Sequence, residues 1–453
     1  MNIPEQIWRA YDIRGNANEE LTVEVVRQMA RALVEYLKPL DVQQFAVGRD
    51  CRLSGPALQS AFVDGLRSGG MNVIDIGMVP TPLLYFAVDG FGIDAGAIIT
   101  ASHNPPDDNG IKLRVQDRLF LPEDIQHWKA LSAREWPSTT LGTLERQSLT
   151  STYLECLSAQ AIDIRGMRIG IDAGSGAMGP VAQELFEGLG AVVYPLYCTP
   201  DGRFPFHPAD PTKPQNLQDL KTMVLQEKLD IGFAFDGDGD RIGVVTPQGR
   251  LLWGDYLMAL AAQELLKYQT GTLIQDVKCS MMFQTLVESL GGQVVTSATG
   301  YALVQQAMRE HEALFGGEQS SHLSFSDQYF GYDDGLYAAI RLLPTVTNID
   351  KRIDDLPKTF STPELRIPVD EKQKRVIMSA LKDIITAPEI LTVDGLRPAD
   401  HSGWALIRPS NTEAVLTIRT EAITESDFNA WKRRLYGWLL EAGLNKTHLA
   451  GLR

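Results

Sequence analysis

Residues 45–100 read FAVGRDCRLSGPALQSAFVDGLRSGGMNVIDIGMVPTPLLYFAVDGFGIDAGAIIT. Short apolar runs, FAVG at 45–48, MNVIDIG at 71–77 and AGAIIT at 95–100, alternate with stretches of helical periodicity, PALQSAFVDGLR and LLYFAV. That alternation predicts an α/β unit. After a polar, Trp-containing stretch near 127–150 the pattern restarts with MRIGID at 167–172, a Gly-rich turn, the helix VAQELFEGLG, AVVYPLY at 191–197 and IGFAFD at 231–236. A third cycle follows GRLLWGD: YLMALAAQELLKY, TLIQDV at 272–277, MFQTLVESL, QVVTSAT at 293–299 and a helix before ALFGGE. Residues 345–362, rich in Thr, Pro and Asp, read as a linker. Beyond them LRIPVD, a Lys-rich helix, GWALIRPS, AVLTIRTEA and a helix over 425–441 predict a smaller α+β domain.

The chain has 453 residues, which suits three or four domains. Its 44% hydrophobic and 22% charged residues are those of a globular protein. A net charge of −15 argues against nucleic-acid and anionic-membrane partners, so an anionic substrate must be met by local cations. The opening MNIPEQIWRAYDIRG does not read as a secretory signal, and apolar runs such as 256–262 fall far short of the ~20 residues of a membrane span. A cytoplasmic protein is expected. Cys51, Cys156, Cys198 and Cys279 lack metal or redox spacing and read as reduced structural residues, and the seven histidines are scattered.

The unusual loops follow the strands, where ligands collect in open α/β sheets. In DGDGDR, Asp236, Asp238 and Asp240 fall within five residues, and their repulsion calls for a cation. The loop is not an EF-hand, since the sixth position is Arg241 and the twelfth Pro247. Mg²⁺ fits, because three carboxylates leave room for a phosphate oxygen, and Arg241 adds a second positive group. A calcium loop or an acidic turn without metal is the plainer alternative. Ser102 in TASHNP lies at a strand end, beside His103 and before Pro105 and Pro106, with Lys112 near in sequence as a cation or proton carrier. Taken alone the loop also reads as a simple turn, and no G-x-S-x-G elbow surrounds Ser102.

In RPSNTEAVLTIRTEA at 408–422, the donors of Arg408, Ser410, Asn411 and Thr412, followed by Arg419, suit a phosphate dianion, with a surface turn as the alternative. Glu318 and Ser320 of GEQSSH can hold vicinal sugar hydroxyls; a strand-end turn is the other reading. GSGAMG at 174–179 matches a dinucleotide fingerprint between strand and helix, but an acidic residue for the ribose is only loosely placed, at Asp201.

Together, RAYDIRG, TASHNP, DGDGDR, GE-x-S and RPSNT, in that order, resemble the α-D-phosphohexomutase family over nearly the whole chain, most closely its bacterial phosphomannomutase/phosphoglucomutase branch. The resemblance implies a four-domain, heart-shaped molecule with three related α/β mixed-sheet domains and a smaller C-terminal α+β domain, at 1–147, 148–249, 250–361 and 362–453. It implies phosphoserine at Ser102, Mg²⁺ on Asp236, Asp238, Asp240 and the phosphoserine, and assistance to transfer from His103, Lys112 and Arg241. It also implies substrate contacts at Tyr11, Arg14, Lys278, Gly300, Tyr301, His322 and the two loops just described. The expected reaction interconverts hexose 6-phosphate and hexose 1-phosphate, of mannose or glucose, through a hexose 1,6-bisphosphate that also serves as activator. A monomer binding small sugar phosphates, with no protein partner, is expected. Phosphoglucosamine mutase and a non-catalytic sugar-phosphate-binding homologue are the alternatives. The chain departs from the family's T-G-H-S with a following Lys at Tyr301, Ala302 and Gln305, and from its usual residues at Gln319, Ser321 and Ala414.

Overall fold

The computed structural model describes residues 3–116, 119–410 and 414–452. The chain begins with β1 (Ile13–Asn16), α1 (Val23–Leu37), β2 (Gln44–Arg49), α2 (Gly55–Ser68), β3 (Asn72–Met78), α3 (Thr81–Asp89), β4 (Ala95–Ile99), β5 (Asp108–Val115), α4 (Pro122–Ser132) and β6 (Leu144–Arg146). Their sheet has the order β1-β5-β4-β2-β3-β6. Strands β3, β2 and β4 run parallel, whereas β5 returns antiparallel to β4, pairing Ile98 with Lys112. AGAII of β4 is buried on both faces, which is why it reads as an unbroken apolar run. The stretch that reads as polar in sequence begins inside α4, and Trp128 there is fully buried, its indole N–H donating to Met29 O. One tryptophan on a polar helix thus anchors α4 to the core of α1.

A second mixed sheet follows α5 (Thr150–Ser158). It comprises β7 (Arg168–Asp172), β8 (Val192–Leu196), β9 (Ile231–Phe235), β10 (Ile242–Val245) and β11 (Leu251–Leu252), with α6 (Met178–Gly188) and α7 (Gln218–Glu227) between strands. The order is β11-β10-β9-β7-β8, and β9, IGFAF, is again wholly buried. Then come α8 (Asp255–Leu265), β12 (Thr272–Asp276), α9 (Met281–Ser289), β13 (Gln293–Ser297), α10 (Tyr301–Glu310) and β14 (Phe315–Gly317), with β12 parallel to both β13 and β14. Next are β15 (Leu323–Phe325), α11 (Gly335–Leu342) and α12 (Ile349–Asp354). The predicted linker at 345–362 is therefore partly helical, with Ile349 and Ile353 buried.

The last segment holds β16 (Phe360–Ser361), β17 (Leu365–Pro368), α13 (Glu371–Ile384), β18 (Glu389–Leu391), β19 (Arg397–Asp400), β20 (Gly403–Pro409), β21 (Val415–Ala422) and α14 (Glu425–Glu441). Its sheet is antiparallel around β20 and β21. The helices close its core through Ile377, Leu381, Trp431, Leu435 and Leu439. Asp370 and Gln373 form a capping box at the start of α13, and Thr424 caps α14. The chain forms two compact units, residues 1–264 with 320–353, and residues 265–319 with 354–453. Among the described residues no helix is long and apolar enough to cross a membrane.

Helices α1 and α2 pack through Gly65, where a Cβ would lie 2.4 Å from Arg27 O and 2.7 Å from Ala30 Cβ. Alanine in a helix interior normally gains about 1 kcal/mol over glycine, but overpacking costs about 1–3 kcal/mol or more against backbone that cannot yield. Gly65→Ala is therefore expected to lose about 2 kcal/mol in urea denaturation; a stabilised variant would show that the helices separate freely.

Candidate active site

Two loops of the first unit meet in backbone contact. Ser102, just past β4, has φ 53, in the left-handed region, and DGDGDR follows β9. A Cβ on Gly237 would sit 2.4 Å from Ser102 O, so only glycine permits the approach. Gly239 has φ +78, and its N–H donates to Asp236 Oδ1 at 3.0 Å. The two glycines between the aspartates thus do different work, one giving close approach and the other the turn.

Ser102 Oγ lies 2.5 Å from Asp236 Oδ2 and 3.0 Å from His103 Nδ1. Lys112 Nζ, from β5, donates to Asp238 Oδ2 at 2.7 Å and also to Asp240 Oδ2. Thr81 Oγ1, at the start of α3, donates to Asp238 Oδ2 at 2.6 Å. All three aspartates are fully buried, with ligand atoms within 4.8 Å of one another. Burial, followed by the charges of Asp240 and Asp238, pushes Asp236 well above the usual carboxylate range. Burial also works against ionised Asp238, but Lys112, Thr81 and Arg14 outweigh it and hold that carboxyl low. Asp238 Oδ1 and Asp240 Oδ1 are buried without a hydrogen-bond partner. An all-oxygen carboxylate set with unspent acceptors fits a hard divalent cation.

Cations surround this group. Arg241 Nε donates to His322 Nε2 at 2.8 Å, and His322 Nδ1 lies 2.5 Å from Asp333 Oδ2. That arrangement gives His322 an Nδ1–H tautomer with its Nε2 lone pair toward Arg241. Arg14 Nη1, from β1, donates to Ala101 O at 3.1 Å and Asn104 Oδ1 at 2.9 Å. Burial, then the charges of Arg241 and Arg14, push His103 well below the usual imidazole range, so it is neutral. Tyr11 lies just before β1 and is partly buried. A cavity of about 270 Å³ opens beside Ser102, lined by His103, Asn104, Pro105, Pro106, Phe204, Pro208 and Ala209. GSGAMG packs against the aspartate loop: Ala177 N donates to Gly237 O at 3.1 Å, and a Cβ on Gly176 would lie 2.7 Å from that oxygen. Its glycines admit another stretch of backbone, which accounts for the dinucleotide-like spacing.

The second unit carries the remaining sequence candidates except Ser320, which belongs to the first. Gly300 N donates to Glu318 Oε1 at 2.5 Å, Tyr301 begins α10, and Lys278 Nζ lies 3.7 Å from Asp276 Oδ2. Arg408 Nε donates to Asp394 Oδ2 at 2.6 Å, and Thr299 N reaches the same oxygen at 3.2 Å. One carboxylate thereby ties the Gly300 turn to the Arg408 loop. Ser410 O accepts from Lys374 Nζ at 2.7 Å, and Arg419 Nη1 donates to Lys278 O at 2.7 Å. Asn411 and Thr412 lie outside the described residues. Sequence reasoning missed Asp333, Asp394, Thr81, Arg52 and Asp50. Only their neighbours in space reveal them.

Next to Asp333, Asp334 caps α11 by accepting from Leu336 N and Tyr337 N, and its Oδ2 accepts from Tyr153 and Tyr329 hydroxyls. Burial outweighs these bonds and lifts its carboxyl from 3.8 to about 6. Between these values the unfolded chain gives up its proton first, so the folded protein binds more protons and stability falls as pH rises. Asparagine caps helices equally well. The stability difference between wild type and Asp334→Asn is expected to move toward the variant by about 3 kcal/mol from pH 4 to pH 7. A difference independent of pH in chemical denaturation would refute the raised acid.

Comparison with known proteins covers all these segments. Models of the phosphoglucomutase/phosphomannomutase α/β/α domains I, II and III and of the C-terminal domain match residues 5–129, 149–249, 253–362 and 364–437. A phosphomannomutase/phosphoglucomutase of Pseudomonas aeruginosa is 40% identical over 438 residues, 95% of this chain and 94% of that protein. A phosphoglucomutase of Neisseria gonorrhoeae is 38% identical over 435 residues, 94% of this chain and 95% of its own. The crystal structure of a phosphoglucomutase/phosphomannomutase family protein from Burkholderia thailandensis matches with a TM-score of 0.92 at 35% identity, covering 98% of this chain and 99% of that one.

Proposed function

The chain belongs to the phosphoglucomutase/phosphomannomutase family and is a phosphohexomutase, an isomerase; from that premise we propose that it moves a phosphoryl group between O6 and O1 of mannose and glucose through phosphorylated Ser102. The observation that carries this is the placement of Ser102 Oγ 2.5 Å from Asp236 at the head of a buried carboxylate triad. A hydroxyl so placed, with no acyl-transfer elbow around it, serves as a phosphoryl carrier. The domain limits proposed are 1–147, 148–249, 250–361 and 362–453, in keeping with the matched segments.

In the forward half, the free hydroxyl of the hexose phosphate attacks phosphoserine. Its O–P bond forms as the bond to Ser102 Oγ breaks, giving a hexose 1,6-bisphosphate that also serves as activator. Mg²⁺ on Asp236, Asp238 and Asp240 would neutralise charge on the moving phosphoryl. Arg241 and Lys112 supply fixed positive charge to the same group. Neutral His103, 3.0 Å from Ser102 Oγ, steadies the leaving oxygen. The proton lost by the attacking hydroxyl is balanced by the one the departing Ser102 Oγ takes up, with His103 beside it. His322, whose tautomer is set by Asp333, holds Arg241 toward the substrate. The bisphosphate then turns, its other phosphate returns to Ser102, and the reverse chemistry releases product. Arg408, Ser410, Asn411 and Thr412, with Arg419 behind them, hold the phosphate that is not reacting. Glu318 and Ser320 hold hydroxyls common to both orientations, and Tyr11, Arg14, Lys278, Gly300 and Tyr301 complete the substrate contacts. A cytoplasmic monomer acting on sugar phosphates agrees with this reading.

Intact-mass measurement of protein treated with glucose 1,6-bisphosphate is expected to show one added phosphate, lost in Ser102→Ala along with at least about 10³-fold in kcat. Asp238→Ala is expected to be inactive at any Mg²⁺ concentration. Full activity in either variant would sink the mechanism. Coupled assays of mannose, glucose and glucosamine 1-phosphates side by side decide the sugar, and turnover of glucosamine 1-phosphate alone would reassign it.

A further inference from the structure

Arg52, in the connection from β2 to α2, is fully buried and spends its whole guanidinium on one loop and one carboxylate. Nη2 donates to Ser102 O and Asn104 O, each at 2.7 Å. Nη1 donates to Pro105 O at 2.5 Å and Asp108 O at 2.8 Å, and Nε to Asp50 Oδ2 at 3.2 Å. The chemistry is complementary. Pro105 and Pro106 have no N–H, so this stretch of the loop is rich in carbonyl acceptors, and a guanidinium offers donors only. The same Asp50 Oδ2 accepts from Thr100 Oγ1 at 2.7 Å, and Thr100 Oγ1 in turn accepts from Ser102 N at 2.9 Å. The amide and the carbonyl of Ser102 are thus both anchored to one Asp–Arg pair, in a residue whose left-handed φ of 53 needs support from its surroundings. From the loop after β8, the Phe204 ring covers the guanidinium with its centroid 5.2 Å from Cζ, and a Cβ on Gly202 would strike Cys51 O at 2.5 Å. Arg52 is therefore lidded, and its fork has a single geometry.

We infer that Arg52 is a positioning residue for phosphoryl transfer, holding the Ser102 backbone so that Oγ is delivered in line with the incoming hydroxyl. The inference rests on the reading of Ser102 as the phosphoryl carrier. Arg52 acts by shape. Asp50 balances its charge locally, and a lysine would keep that charge while giving up most of the fork. The substrate-side donors assigned above do not include it, so its loss falls on the chemical step and leaves substrate affinity alone.

Arg52→Lys is expected to keep its far-UV circular dichroism, retain KM for glucose 1-phosphate within twofold, and lose about 10²-fold in kcat, the scale of a small misplacement of a reacting atom. Loss of phosphate from the phosphorylated variant to water should rise relative to transfer to sugar, an effect that simple destabilisation does not produce. A folded Arg52→Lys with kcat within twofold of wild type, or with KM raised as much as kcat falls, overturns the inference. If that variant does not fold, Phe204→Leu, which removes the lid and leaves the fork, decides. A several-fold lower kcat at unchanged KM supports the role, and an unchanged kcat removes it. Wild-type protein that takes up no phosphate from glucose 1,6-bisphosphate in the same mass measurement would instead refute the carrier role of Ser102.

Discussion

Three ionised carboxylates cannot be buried together unless something positive is built in with them. At 4 Å and an effective dielectric constant near 20, each like-charged pair costs about 4 kcal/mol. Lys112 offsets part of that from within, bridging Asp238 and Asp240. It stands on β5 of the first sheet, and the aspartates follow β9 of the second. The carboxylate cluster therefore becomes tolerable only when both sheets are folded and in contact. Replacing either partner alone would leave buried charge uncompensated, which costs more than the pair ever contributes.

The same requirement explains how an acidic protein meets an anionic substrate. The chain carries a net charge of −15, yet Lys112, Arg14, Arg241 and Arg52 all contact the serine loop, the aspartate loop or His322. Each is paired or spent on carbonyls, so positive potential is held at fixed positions without a broad basic surface. His103 stays neutral among them. The field is local, and composition alone conceals it.

Much of this was legible in the sequence. The buried strands β4 and β9 announce themselves as apolar runs, and the loops that follow them carry Ser102 and the aspartates. Asp-Gly alternation pointed to the three carboxylates that the structure gathers, although the separate tasks of Gly237 and Gly239 appear only from their backbone contacts. Arg52 and Asp50 escaped notice because GRDCR carries no motif of its own, and the carbonyls that Arg52 serves lie some 50 residues away. Asp394 and Asp333 are likewise single acids whose partners come from other elements. Trp128 was hidden by polar neighbours on its own helix. Local periodicity reports which face of an element is apolar. It says nothing of which distant loop a lone charged side chain will hold.

The seam at Gly237 has a wider meaning. Because two backbones touch there, with no side chain between them, the spacing from the serine to the carboxylates is set by main-chain geometry, like a fixed gauge. Side chains that take no part in the seam, such as Tyr301 and Gln319, can then be exchanged without disturbing that spacing. On the mechanism proposed above, the geometry of phosphoryl transfer is a property of the main chain, and the side chains around it are left to choose the substrate.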